Sequence, residues 1–124
     1  MTRINCVPAA ELTRQHLLAE WRELPRVYTL AEQAWRRDPR LDYPQTYRLG
    51  AGHVKFFYTR LGYLDRRFRE LHAEMQARGY ATSWDCPPVA NVPPSWYRGW
   101  EPDDAALALN RARIAERLTV KGVR

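Results

Sequence analysis

Five of the nine prolines fall between Pro87 and Pro102, and that stretch limits the fold more than any other feature of the chain. Proline has no backbone N–H and clashes with the preceding helical turn, so the segment excludes a long helix and makes a poor strand. Long regular elements must therefore lie before residue 87 or after residue 102. Trp96, Tyr97 and Trp100 sit inside the stretch. Their large rings point to an ordered loop strapped across the domain, with stacking on a partner as the other use for them.

The remaining segments read as helices. From about Glu11 to Arg37, a turn of 100° per residue puts Leu17, Leu18, Trp21, Leu24 and Tyr28 on one side. His16, Ala19, Arg22, Glu23 and Arg26 fall on the other side, and Pro25 predicts a kink rather than an end. From about Arg60 to Arg78, Leu61, Leu64, Phe68, Leu71 and Met75 recur at three- and four-residue steps, and Gly79 is placed to close the helix in the left-handed conformation. Gly50 and Gly52 predict a tight turn or a close backbone approach before it. A third helix is expected from Asp103 or Asp104, with Leu107, Ile114 and Leu118 as its apolar stripe and Arg113 and Arg117 on another side. No segment alternates with period two. The expected fold is all-α, a single compact domain over residues 1–124 with three main helices and long loops.

The formal charge is +6, and only Lys55 and Lys121 among the 20 basic residues are lysines. The other 18 are arginines, whose planar fork suits phosphate, so a polyanion partner competes with a plain solubilising surface. Cys6 and Cys86 form no CxxC pair, and His16, His53 and His72 match no zinc spacing, so no metal or other cofactor is expected. No apolar run of about 20 residues offers a membrane span. With a polar N-terminus, the chain is expected to be a cytoplasmic monomer.

Two residues suggest chemistry. Methionine before a small residue such as threonine is normally removed, which would free the Thr2 α-amine. An α-amine has a reference pKa of about 7.7–8.0, so roughly a tenth of it is neutral and nucleophilic at pH 7. Such an amine can attack the sugar C1′ of a nucleoside, expel the base and remain as an iminium, after which β-elimination cuts the strand. Glu23, between Arg22 and Arg26, reads as a solvated ion-pair cluster or as the carboxylate that faces a cationic sugar while the arginines hold phosphates. His16 reads as a DNA contact on the same side.

Thr2-Arg3-Ile4-Asn5, Gln15-His16-Leu17 and Arg22-Glu23-Leu24-Pro25-Arg26-Val27 resemble the pyrimidine-dimer DNA glycosylase and abasic-site lyase family of T-even phages, also called endonuclease V. The likeness continues in order through Leu49-Gly50-Ala51-Gly52-His53-Val54, Phe56-Phe57-Tyr58, Glu70-Leu71, Arg78-Gly79, Pro93, Arg98-Gly99, Pro102 and Ala112-Arg113. The resemblance implies an N-terminal segment threaded between helices, bringing Thr2, the nucleophile, beside Glu23, the essential carboxylate. It implies a DNA face of Arg3, His16, Arg22 and Arg26, with Arg113 and Arg117 on the third helix. It also implies metal-free cutting at ultraviolet dimers in a bent duplex with a displaced nucleotide, which is easier where stacking is already weakened.

The chain departs from that family in two places. The loop between the first two main helices is shorter, and the C-terminal run Thr119-Val120-Lys121-Gly122-Val123-Arg124 lacks the family's aromatic tail. Two alternatives therefore stay open: the same chemistry on another damaged base, and a non-catalytic basic protein that binds duplex DNA.

Overall fold

The structure is a computed structural model that describes residues 4–40 and 42–122, with the side chains of the last helix described as far as Arg117. Four α-helices appear in chain order: α1 Arg14–Arg37, α2 His53–Phe56, α3 Leu61–Ala77 and α4 Asp104–Gly122. Short 3-10 turns occupy Ala9–Glu11 and Pro94–Trp96. The architecture is all-α, and the only β pairing among the described residues is an isolated bridge between Arg60 and Tyr97. No described helix is long and apolar enough to cross a membrane.

Helix α1 begins three residues later than its periodicity suggests. Glu11 belongs to the preceding 3-10 turn, and Thr13 caps the helix by accepting the His16 backbone N–H at 3.2 Å. A hydroxyl at this position satisfies one of the unpaired first-turn donors, which fixes the start more firmly than hydrophobic spacing does. The helix continues through Pro25 and ends on Arg36 and Arg37, whose charge suits the negative end of the helix dipole. Its buried face holds Leu17, Trp21, Leu24, Val27, Tyr28, Ala31 and Ala34, together with one acid, Glu20.

Helix α3 packs against α1 through Leu64, Phe68, Leu71 and Met75. It closes as the glycine implies: Gly79 has φ of 79°, its N–H reaches Gln76 O, and the Tyr80 N–H reaches back to Met75 O at 2.9 Å. That double closure is the Schellman arrangement, which saturates the last free carbonyls. At the start of α4, Asp103 Oδ1 accepts the Ala106 N–H at 2.8 Å.

The proline-rich stretch is an ordered strap. Trp96 is buried edge-on against Trp35 and Tyr43, and the Tyr97 hydroxyl accepts the Ala90 N–H. Arg98 O accepts the Tyr63 N–H at 3.2 Å. The strap runs so close over α3 that a Cβ on Gly62 would lie 2.6 Å from Tyr97 O, so only glycine fits there. Trp100 is half-buried, stacked on Tyr47 with ring centroids 5.5 Å apart and met by the rings of Phe56 and Tyr63. With Gln45, Thr46, Asp103 and Leu109, the Tyr47 and Trp100 rings line an open cleft of about 230 Å³.

In helix α4, Leu107 and Ile114 pack half-buried against the core, but the fully buried positions are Ala106 and Asn110, and the Leu118 side chain lies outside the described residues. At 100° per residue, Arg113 and Arg117 fall on the line of Ala106 and Asn110. They flank the packed side instead of occupying a separate face, and both are half-buried.

Candidate active site

The site is built around an extended arm, residues 4–8, that runs between the helices into the 3-10 turn at Ala9 and is held at almost every residue. Ile4 and Val7 are fully buried. The Ile4 N–H donates to His53 Nε2 at 2.8 Å, and its carbonyl accepts from the Tyr47 hydroxyl. Asn5 donates through Nδ2 to Glu20 Oε1 at 2.9 Å, accepts at Oδ1 from Asn110 Nδ2 at 2.8 Å, and accepts at its carbonyl from the Tyr63 hydroxyl. The backbone N–H groups of Cys6 and Val7 both donate to Asn110 Oδ1. Arg67 donates to Val7 O, and Glu70 accepts the Ala9 N–H. An extended segment has no internal partners for its backbone, so burying it requires side chains of this kind from α1, α2, α3 and α4.

At the centre lies a buried ion pair. Arg67 reaches both oxygens of Glu20, at 2.7 and 3.0 Å, with the two side chains 1% and 0% exposed. Burial works against the charge on Arg67, but the Glu20 carboxylate, by attraction and by hydrogen bonding, overcomes that and holds the guanidinium proton more tightly than usual. Removing one partner of such a pair leaves a bare charge in the interior, typically a loss of about 3–5 kcal/mol. Arg67→Met is therefore expected to lower the unfolding free energy by about that amount. Urea unfolding checks this as a lower midpoint at an unchanged slope. A loss below about 1 kcal/mol would mean that the pair does not tie the arm. Around the same point, burial pushes the Cys6 thiol up to about 11 and keeps the Tyr47 and Tyr63 phenols protonated.

The residues singled out from the sequence take these positions. His16, Arg22, Glu23 and Arg26 all lie on α1. Arg22 and Arg26 are exposed, whereas His16 and Glu23 are half-buried at the rim between the exposed arginines and the buried Glu20–Val27 line. Both Glu23 carboxylate oxygens lie 3.3 Å from Arg26 Nη1. His16 Nδ1 is 2.8 Å from the Thr13 hydroxyl. Helix α4 supplies Arg113 and Arg117; the Arg113 Nε is buried without a hydrogen-bond partner, and one of its terminal nitrogens lies 4.0 Å from Glu116. Thr2 and Arg3 lie outside the described residues. Among the described residues, no three His, Cys, Asp or Glu side chains gather as a metal site.

Seven residues of the arm's clamp carry no role in the sequence reading: Glu20, Tyr47, His53, Tyr63, Arg67, Glu70 and Asn110. A signal for two of them was available. Glu20 stands between Leu17 and Leu24, and Arg67 between Leu64 and Leu71, so each is a charge at an apolar-stripe position.

The arm and Glu23 lie close together along α1. Glu23 follows Glu20, the acid that holds Asn5, by three residues, which is about 4.5 Å along the helix axis. Three residue steps lead from Asn5 to Thr2 and span at most about 10 Å. A family model described as pyrimidine dimer DNA glycosylase matches residues 1–87.

Proposed function

The chain belongs to the pyrimidine dimer DNA glycosylase family, and from that premise we propose that it removes a damaged base from duplex DNA and cuts the strand through a covalent bond to its own N-terminus. The observation that carries this reading is the hydrogen bond from Asn5 to Glu20, which anchors the N-terminal arm one helical turn from Glu23. Three residue steps lead from Asn5 to Thr2 and can span about 10 Å, a length that supports a Thr2 amine acting beside that carboxylate.

In the proposed reaction the neutral Thr2 α-amine attacks C1′ of the lesion's sugar. An N–C1′ bond forms, and the glycosidic bond breaks with its electron pair leaving on the base, which gains a proton. Opening of the sugar ring breaks the C1′–O4′ bond and gives an iminium. Loss of a C2′ proton then expels the 3′ phosphate by β-elimination. Glu23 supplies negative charge where positive charge develops on the sugar and carries protons during ring opening. Arg3, Arg22, Arg26 and His16 face the DNA, and Arg113 and Arg117 extend that surface from α4. The preferred lesion is an ultraviolet pyrimidine dimer in double-stranded DNA, and the working unit is a monomer.

Borohydride reduction of the mixture with an abasic duplex tests the reaction. The expected result is a stable protein–DNA adduct mapped to Thr2, together with base release from a dimer-containing duplex. An adduct without dimer release would favour the second reading, the same chemistry on another damaged base. No adduct at all would leave a non-catalytic DNA-binding protein.

A further inference from the structure

His53 opens α2 and is 3% exposed. Its two ring nitrogens meet backbone groups of opposite kind. Nδ1 lies 2.7 Å from the carbonyl oxygen of Arg48, which can only accept. Nε2 lies 2.8 Å from the backbone nitrogen of Ile4, which can only donate. Both contacts are satisfied together only by a neutral ring that carries its hydrogen on Nδ1. The turn beneath it is held in place by Gly50 and Gly52, with φ of 71° and 85°, and by the His53 N–H bonded to Gly50 O.

We propose that His53 is a positioning residue for the Schiff-base reaction: as the neutral Nδ1–H tautomer it pins the arm at Ile4, two residues after the nucleophile, and a second proton on the ring releases that pin. The proposal rests on the reading of Thr2 as the nucleophile. The other described ties grip the arm from Asn5 onward, except the Tyr47 hydroxyl, which reaches the Ile4 carbonyl at 3.3 Å. A chain pivoting at Asn5 moves its end by about 1 Å for a swing of about 6° over 10 Å, and a misplacement of that size can slow a reaction about 10²-fold. A protonated ring would set an N–H against the Ile4 N–H, two donors face to face.

The neighbouring ionisable groups do not duplicate this behaviour. Among the described residues they include the Tyr47 phenol, whose ring meets His53, and, along the arm's clamp, the Tyr63 phenol and Arg67 from α3, Glu20 from α1 and the Cys6 thiol on the arm itself. Burial keeps the two phenols and the thiol protonated through the neutral range, and Glu20 is bonded through both oxygens to Arg67. The Thr2 amine also titrates, so a variant that cannot take a second proton is needed to separate the two effects.

The test compares wild type, His53→Gln and His53→Leu in the full chain. Nitrogen-15 NMR of the wild-type ring should show the Nδ1–H tautomer, and the Ile4 amide should exchange slowly at pH 7.5 and quickly once the ring is protonated. The Nε2–H tautomer, or an Ile4 amide that exchanges freely at pH 7.5, overturns the proposal. Single-turnover adduct formation on a preformed abasic duplex should fall about 10²-fold in His53→Leu, with duplex affinity within about twofold. His53→Gln, whose amide oxygen can still accept from Ile4, should recover at least a tenth of the wild-type rate and lose the part of the acid limb that the amine does not explain. Equal rates in wild type and His53→Leu overturn the positioning role. Should His53→Leu fail to fold, an acid limb in His53→Gln identical to that of wild type overturns it instead. A protected Ile4 amide in a wild-type protein that forms no adduct overturns the nucleophile reading and leaves the tether standing.

Discussion

A preparation that keeps Met1 should release no base and cut no strand. Retaining the methionine turns the Thr2 nitrogen into an amide, which is not a nucleophile, and moves the free amine one residue outward, about 3.8 Å. Effective catalysis needs the attacking atom within about 3–3.5 Å of its target, and an error of 1 Å can lower the rate 10²-fold. We therefore expect at least a 10²-fold loss of base release. The same holds for a protein acetylated on Thr2. Duplex binding should persist, because the exposed arginines of α1 are untouched by either change. Mass spectrometry of each preparation, paired with a strand-cutting assay on dimer-containing DNA, checks the result. Full activity in a verified Met1-retaining sample would remove Thr2 from the mechanism.

The second large effect is expected at Glu23. Its carboxylate is 24% exposed and ion-paired with Arg26, whose side chain is 69% exposed. Pairs this open contribute at most about 1 kcal/mol to stability. Glu23→Gln should therefore melt close to wild type, since it changes charge at nearly constant shape. Base excision should nonetheless fall by about three orders of magnitude, because a neutral amide neither stabilises a cationic sugar nor moves protons. Trapping on a preformed abasic site starts from an aldehyde and should survive in part. Gel assays of base release beside a circular-dichroism melt separate the two outcomes. Excision at near the wild-type rate would return Glu23 to the role of an ordinary ion-pair partner of Arg26.

The parts of this fold that were readable in advance are those whose causes are local. The stripe Leu61–Met75, the closing Gly79 and the prolines of the strap act through neighbours in the chain, and each lies where its spacing implies. Helix α4 was legible only in part, because Ala105, Ala106, Ala108, Ala112 and Ala115 surround it with small apolar residues. Several faces are then equally apolar, and the buried one is chosen by Asn110 reaching Asn5 rather than by hydrophobic spacing. The clamp was invisible for a related reason. Arg67 and Glu20 are 47 residues apart, and His53 and Ile4 are 49 apart. No periodicity links such pairs. Only a charge on an apolar stripe hints that a partner exists, and it does not say which one.

The arm's tie to Asn110 has a consequence for the order of events during synthesis. Asn5 and Asn110 are 105 residues apart, so one leaves the ribosome well before the other has been made. At about 5–20 residues per second, that interval is on the order of 5–20 seconds. Through this time the arm lacks its α4 partner and has only its ties to α1, α2, α3 and Tyr47. The removal of Met1, which the proposed chemistry requires, thus has an interval in which a processing enzyme meets an open chain end. Completion of α4 then adds the last tie to the arm, through Asn110 to Asn5, Cys6 and Val7.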